Sequence, residues 1–485
     1  MSPGILIGGV TQSRKGVMPL MRRSAHNKWD GNERLANMSS EIDSAQLLSR
    51  ASELIDLAKA AGADAADAVV VRSRSRSVSV RLGKVEGTES SESDDFALRV
   101  FVGQKVASVS ANPGFDMKTL AERAVAMAKV SPEDPFVCMA DADRLAKSYP
   151  DLDLFDPTEV PTDALREAAL AAETAALEVN GVTNSSGAGA SAGMGGMVLV
   201  TSHGFSGSYM ATRFGRSVSA IAGVGTKMER DYDYDSRLYD ADLDAPDLIG
   251  RRAGERAVAR INPRQVPTAS NVTVVFDPRM ARGFVGMIAG AINGASVARK
   301  TSFLRDKMGQ QVLKSGLNIT DDPLIVRGSS SRPFDGEGVS GERMTMIEDG
   351  VLKHWFLSTS TGRELGVPTN GRGVRGGNSV TPASTNLALE PGDISPEELI
   401  ASVGTGLYVT ELIGQGVNML TGEYSRGASG FWIENGKLAF PVSEVTIASN
   451  LKDMFMRLTL ANDIDRKYGV ASPTIAIEGM TLAGS

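Results

Sequence analysis

Few residues in this 485-residue chain have side chains that commonly do chemistry, and they are scattered. Its only imidazoles are His26, His203 and His354, and its only thiol is Cys138. A lone histidine on a strand is more often structural than a ligand, and His203 and His354 fall in different expected domains. Gly189, Ser191 and Gly193 match G-x-S-x-G, the spacing of a turn that presents a nucleophilic serine. Such a turn needs a strong strand before it and a helix after it, whereas here a Ser/Gly/Ala run precedes a strand. The same run lacks the Lys-Ser/Thr ending of a phosphate loop, so a flexible hairpin tip is expected. Tyr232, Tyr234 and Tyr239 lie among Asp231, Asp233, Asp235, Asp240, Asp242 and Asp244. This cluster could bind a metal or a basic peptide, but it lacks the ordered spacing and terminal Glu of a calcium loop. It reads as a solvated loop.

Residues 271–303 carry the sharper information. A β-branched run at 271–276 reads as a buried strand, and Asp277-Pro278 starts a helix. Asp accepts the free amides of the first turn, while Pro gives up only an N–H that had no partner. Met280, Phe284, Met287, Ile288, Ala291, Ile292 and Ala295 form an apolar stripe. Gly283, Gly286, Gly290 and Gly294 leave a second stripe almost bare. Each glycine weakens a helix by about 1 kcal/mol, so another backbone or a ligand is expected close against that face, tight core packing being the plain case. Two imidazoles on one helix can grip Zn²⁺, with a neighbouring carboxylate as base. From Met280 to Val297 there is no His, Glu, Asp or Cys.

The elements that must position these residues follow from composition and periodicity. At this length two or three domains are expected, and 42% hydrophobic with 22% charged residues is ordinary for a globular protein. Fifty-two glycines imply many turns and a β-rich chain. A net charge of −7 and a pI near 5.3 argue against binding a phosphate backbone. One cysteine excludes an internal disulfide framework, and no apolar run is long enough to span a membrane. Residues 1–42 carry Arg14, Lys15, Arg22, Arg23, Lys28 and Arg34 against few acids. That suits either an import segment or, as preferred here, a disordered extension or a start placed too early, with Met38 the real one.

A helix is expected from about Ser44 to Gly62, then strands at 68–72, 77–82, 95–102 and 105–110, and a second helix at 117–130. The acidic segment 149–161 is a connection, and Thr162-Asp163 caps an alanine-rich helix through Leu177. Strands at 182–184, 196–201, 205–212 and 218–222 and a helix at 246–261 complete the first part. Beyond the Gly-rich helix, strands are expected at 324–326, 351–357, 430–433 and 437–440. The fold class is therefore α+β: an N-terminal antiparallel sheet with flanking helices, then a β-rich C-terminal domain containing a buried Gly-rich helix. The expected divisions are 1–42, 43–265 (open to subdivision near 149–161) and 268–485.

Several short runs carry a family resemblance. Residues 286–294 followed by Arg299-Lys300-Thr301-Ser302-Phe303-Leu304 resemble the central segment of the TldD/PmbA family, bacterial and archaeal intracellular metallopeptidases once called modulators of DNA gyrase. Ala97-Leu98-Arg99-Val100, Ser202-His203-Gly204, Phe334-Asp335-Gly336-Glu337-Gly338, Thr385-Asn386-Leu387, Thr410-Glu411-Leu412-Ile413-Gly414 and Ile433-Glu434-Asn435-Gly436-Lys437 add to the likeness, which covers 44–485. In the zinc-bearing TldD branch the helix holds His-Glu-x-x-x-His, and a cysteine near the C-terminus completes the site. Here residues 462–472 contain no cysteine. The chain thus resembles the PmbA, or TldE, branch. The resemblance implies a cytoplasmic heterodimer with a TldD-type subunit that holds the zinc, acting on extended peptides in proteolysis or peptide maturation. No cofactor is expected on this chain, no direct nucleic acid contact and no membrane. Arg372, Arg375 and Asn378 on one glycine-bordered loop, and Tyr424 and Arg426 on another, are the candidates for contacting peptide in the chamber. The alternatives are a non-enzymatic scaffold or binding protein, or a self-standing hydrolase.

Overall fold

The fold was obtained as a computed structural model, which describes residues 44–376 and 379–484. The basic segment 1–42 and Asn378 lie outside the described residues. The chain is α+β. Its first half is organised by strands β1 (Ala65–Arg81), β2 (Lys84–Val102), β3 (Lys105–Ala111), β4 (Val182–Thr201), β5 (Ser206–Ala222) and β6 (Glu229–Arg237). They form one antiparallel sheet in the order β3-β2-β1-β4-β5-β6. The four central strands hold 17 to 20 residues, so each spans roughly 55–65 Å.

Alternation along β1 decides what covers the sheet. Ala68 and Val70 pack under α1 (Ser44–Ala60) and α2 (Met117–Val130), while Val78 and Val80, on the same face, pack under α3 (Thr162–Leu177) and α4 (Pro246–Ala259). On the opposite face Val69 and Leu199 meet Phe205 and Phe334. The two-residue turn between β1 and β2 places Leu82 and Gly83 at positive φ, and the buried Glu173 of α3 accepts both their N–H groups at 2.9 and 2.8 Å. Close helix packing occurs between α3 and α4. A Cβ on Gly250 would stand 2.1 Å from the Ala172 carbonyl oxygen.

The second half contains β7 (Ala269–Phe276), β8 (Gly406–Ile413), β9 (Glu423–Glu434), β10 (Lys437–Asn450), β11 (Leu458–Leu460) and β12 (Ile475–Ala483). Their order is β10-β9-β8-β7-β12-β11, β7 and β8 running parallel, and pairing of β10 with β12 closes five of them into a ring. The Gly-rich helix α5 (Pro278–Ala291) buries Phe284, Val285, Ile288 and Ala291 in a core shared with Phe276, Leu407, Tyr424 and Ile447.

Four expectations are corrected. Residues 182–184 and 196–201 belong to one strand that runs through the Gly/Ser segment, so Gly189, Ser191 and Gly193 are strand residues and not a hairpin tip. Residues 231–237 lie in β6 and not in a solvated loop. Residues 324–326 form a turn, with Val326 62% exposed. Of the strand expected at 351–357 only Val351 and Leu352 are in a ladder. Past them the N–H groups of Lys353 and His354 both turn to the Met346 carbonyl, and that of Phe356 to Ile292.

Candidate functional site

Helix α5 begins as its sequence dictates, with the Asp277 carboxylate accepting the Met280 N–H at 2.9 Å and Pro278 in the first turn. Its outward stripe runs through Arg279, Arg282, Gly283, Gly286 and Gly290 at three- and four-residue steps. The close neighbour expected against these glycines is not there. A Cβ on Gly283 or Gly286 would meet nothing within 4 Å, and one on Gly290 only the Met419 methyl at 3.6 Å. Tight approach begins at Gly294, just beyond the helix, where a Cβ would sit 2.6 Å from the Phe356 carbonyl oxygen. Zinc does not fit this face, which carries no donor side chain. Among the described residues, no group of three or more His, Cys, Asp or Glu is placed to hold a metal. In 462–472 the Asp463 carboxylate is taken by the N–H and hydroxyl of Thr474, at 2.8 and 2.7 Å.

At the N-terminal end of the stripe lies a cleft of about 460 Å³, walled by β6, α4, the first turn of α5, β8 and residues 463–472. Its acids are Asp231 and Asp233 of the Tyr/Asp segment together with Asp277, Asp463 and Asp465. Asp231 meets Arg279 at 2.8 Å and Arg260 at 3.6 Å, and Asp233 meets Arg252 and Arg256, both at 2.7 Å. Burial pushes the Asp277 carboxyl up, although Arg279 stands 3.0 Å away. Burial likewise raises the Tyr408 and Tyr468 phenols.

A second charged group lies where the Phe334 loop meets the first sheet. Asp67 and Arg99 face each other across β1 and β2, with Arg99 Nη2 2.5 Å from the carboxylate. Arg375 Nη2 approaches the other Asp67 oxygen at 2.6 Å, and its Nε donates to the Gly336 carbonyl at 2.7 Å. Burial opposes ionisation of Asp67, but Arg375 and Arg99 together hold its carboxyl below the usual range. Asp335 accepts the N–H groups of Glu337, Val339 and Gly373. Glu337 accepts the N–H and hydroxyl of Thr359 at 2.7 and 2.8 Å. Burial, then the neighbouring Asp335, push the Glu337 carboxyl up to about 7.

The candidate peptide-contacting residues are not brought together. Arg372 is fully buried, donating to Asp321 at 2.6 Å and to the carbonyls of Asn370, Asp321 and Glu342. Tyr424 is buried against Phe284. Neither has surface to offer a peptide: the Arg372 guanidinium is drawn into the core and satisfied there, and the Tyr424 ring is buried although its hydroxyl has no hydrogen-bond partner among the described residues. Arg375 is committed to the Asp67 seam. Arg426 is half-buried and donates to the Leu412 carbonyl at 3.3 Å. Sequence reasoning missed the Asp67–Arg99 pair and read the aspartates of β6, which it had singled out, as a solvated loop. The available signal was a charge inside an otherwise valine-rich strand, as at Asp67 and Arg99.

Three family models match the chain: PmbA/TldA metallopeptidase domain 1 at residues 66–128, the central domain at 155–261 and the C-terminal domain at 269–484. The metalloprotease PmbA of Escherichia coli O157:H7 is 37% identical over 428 residues, covering 87% of this chain and 92% of its own length. A crystal structure from Bacteroides thetaiotaomicron, of a protein named a modulator of DNA gyrase, superposes with a TM-score of 0.84 at 28% identity, over 92% of this chain and all of that one. TldE from Thermococcus kodakarensis shares the fold at 21% identity, with a TM-score of 0.78 over 90% of this chain and all of its own. With all three domain models matched in order and a curated relative aligned over most of both chains, this chain belongs to the PmbA/TldD metallopeptidase family.

Proposed function

We propose that this chain is the TldE-type subunit of a cytoplasmic two-subunit metallopeptidase, in which a TldD-type partner holds the zinc and cleaves extended peptides. Its part is to pair with that partner and to form wall and groove for the peptide. The observation that carries the reading is the exposed face of α5. Where the resemblance places zinc ligands in the TldD branch, this helix presents glycines bordered by open space. Tetrahedral zinc needs imidazole, thiolate or carboxylate donors converging within about 2.0–2.3 Å, and glycines have none to give. We place the boundary between the two functional units at 265–268, with residues 43–265 before it and 268–485 after. Within the chamber we retain Arg426 as a contact through the partly exposed part of its side chain. The test is purification of the chain alone and with a TldD-type subunit, followed by zinc analysis and a peptide-cleavage assay. The proposal expects zinc and cleavage in the pair only. Zinc held stoichiometrically by the isolated chain, or cleavage by it that a chelator stops, would overturn it.

A further inference from the structure

The cleft at the start of α5 contains a cation without an acid. Every aspartate lining it is already engaged: Asp231, Asp233 and Asp277 by arginines, Asp465 by Lys467 at 3.4 Å, and Asp463 by Thr474. Arg282 alone among the lining cations has no carboxylate within ion-pair distance among the described residues. Its guanidinium donates to the Tyr234 hydroxyl at 3.1 Å and lies 3.9 Å over the Tyr468 ring. Those two contacts fix the plane of the fork and leave other N–H groups to spend, the geometry that suits a planar carboxylate. Thr410, on β8 in the same cleft, is only 8% exposed, yet its hydroxyl has no hydrogen-bond partner among the described residues. A buried hydroxyl left so is a place where a ligand's polar atom gains more than in water.

We propose that this cleft binds the C-terminal carboxylate of a peptide, held by Arg282, with the peptide backbone laid along Gly283, Gly286 and Gly290. The proposal rests on the reading of the chain as a peptide-handling subunit. A carboxylate is favoured over a dianion because a single free guanidinium stands among five aspartates, which repel a second negative charge. A chain end is favoured over an internal acid because the glycine stripe leads away from Arg282 in one direction only. Towards the start of the helix β6 closes the way, where Arg279 donates to Asp231 and to the Tyr232 carbonyl.

The test is fluorescence anisotropy with a fluorescein-labelled tetra-alanine peptide, as free acid and as C-terminal amide, titrated with the purified chain and with its two-subunit complex. The free acid should bind at least about tenfold more tightly than the amide, the scale of one charge-assisted pair. Arg282→Gln should bring the acid down to the amide's affinity and leave the amide unchanged, with a thermal melt to show that the variant folds. If the variant does not fold, the acid-to-amide ratio of the unaltered chain still decides. Equal affinities for the two probes, no binding of either, or an equal loss of both in Arg282→Gln overturns the proposal. Failure to co-purify with a zinc-bearing subunit would instead sink the proposed function and leave an acid preference standing.

Discussion

Arg372 and Arg375 are three positions apart, Arg375 in the short strand Gly373–Gly376, and each is spoken for by a different aspartate. Removing one partner of a buried pair leaves the other charge uncompensated, which typically costs about 3–5 kcal/mol. Arg372→Ala should therefore destabilise the fold by that amount in urea titrations, because Asp321 keeps its burial and loses its cation. A residue whose only task was to touch peptide would change cleavage and leave the urea midpoint alone. Glu337 makes a pH-dependent case. Its folded-state value of about 7 lies above its ordinary 4.5, so between these values the folded protein binds the extra proton. Stability from this group is full below about 4.5 and is lost as pH rises through 7. Glu337→Gln keeps an acceptor for Thr359 and removes the titration. Relative to that variant, the unaltered chain should lose up to about 3 kcal/mol as pH rises to 7, at roughly 1.4 kcal/mol per unit, and the difference should level off above it. A difference that does not vary with pH would show that Glu337 does not titrate in this window.

At the scale of elements, the glycines of α5 and Gly294 just beyond it separate into two kinds that look alike in sequence. Gly286→Ala adds a methyl to open space and removes a helix-weakening residue, so the melting point should rise, by about 1 kcal/mol in stability. Gly294→Ala drives a Cβ to within 2.6 Å of the Phe356 carbonyl oxygen and should lower stability by about 1–3 kcal/mol. The same opposite signs explain what the sequence could and could not reveal. Helices 117–130 and 162–177 were legible to the residue because apolar periodicity is local, although the cap expected from Thr162-Asp163 is not made: Pro161 stands at the N-cap with no side-chain hydrogen bond. The long strand β4 was read as fragments, because Gly, Ser and Ala look like a loop until β1 and β5 are seen on either side, themselves rich in Ser. The missing zinc donors of α5 were legible, since absence needs no partner. The pairing of Asp231 and Asp233 was not, because the cations come from positions 252, 256, 260 and 279.

For the whole molecule, the question is whether metal contributes to holding this chain together or only to the chemistry of a pair. A structural zinc contributes about 10–16 kcal/mol of folding free energy, so a chelator unfolds domains that depend on one. Here the cores are built from apolar side chains, and the buried charges Arg372 with Asp321 and Arg99 with Asp67 are satisfied by one another. Nothing in that arrangement calls for a cation. Treating the isolated chain with EDTA or 1,10-phenanthroline should leave its melting temperature unchanged to within about 1 °C, a shift worth about 1 kcal/mol for a chain of this size and far below what loss of a structural zinc would cost. The same treatment of the two-subunit complex should abolish peptide cleavage, and added Zn²⁺ should restore it without changing this chain's own melt. A chelator-induced drop in the melting temperature of the isolated chain would mean that donors on this subunit hold a metal, and the division of labour proposed for the pair would fail with it.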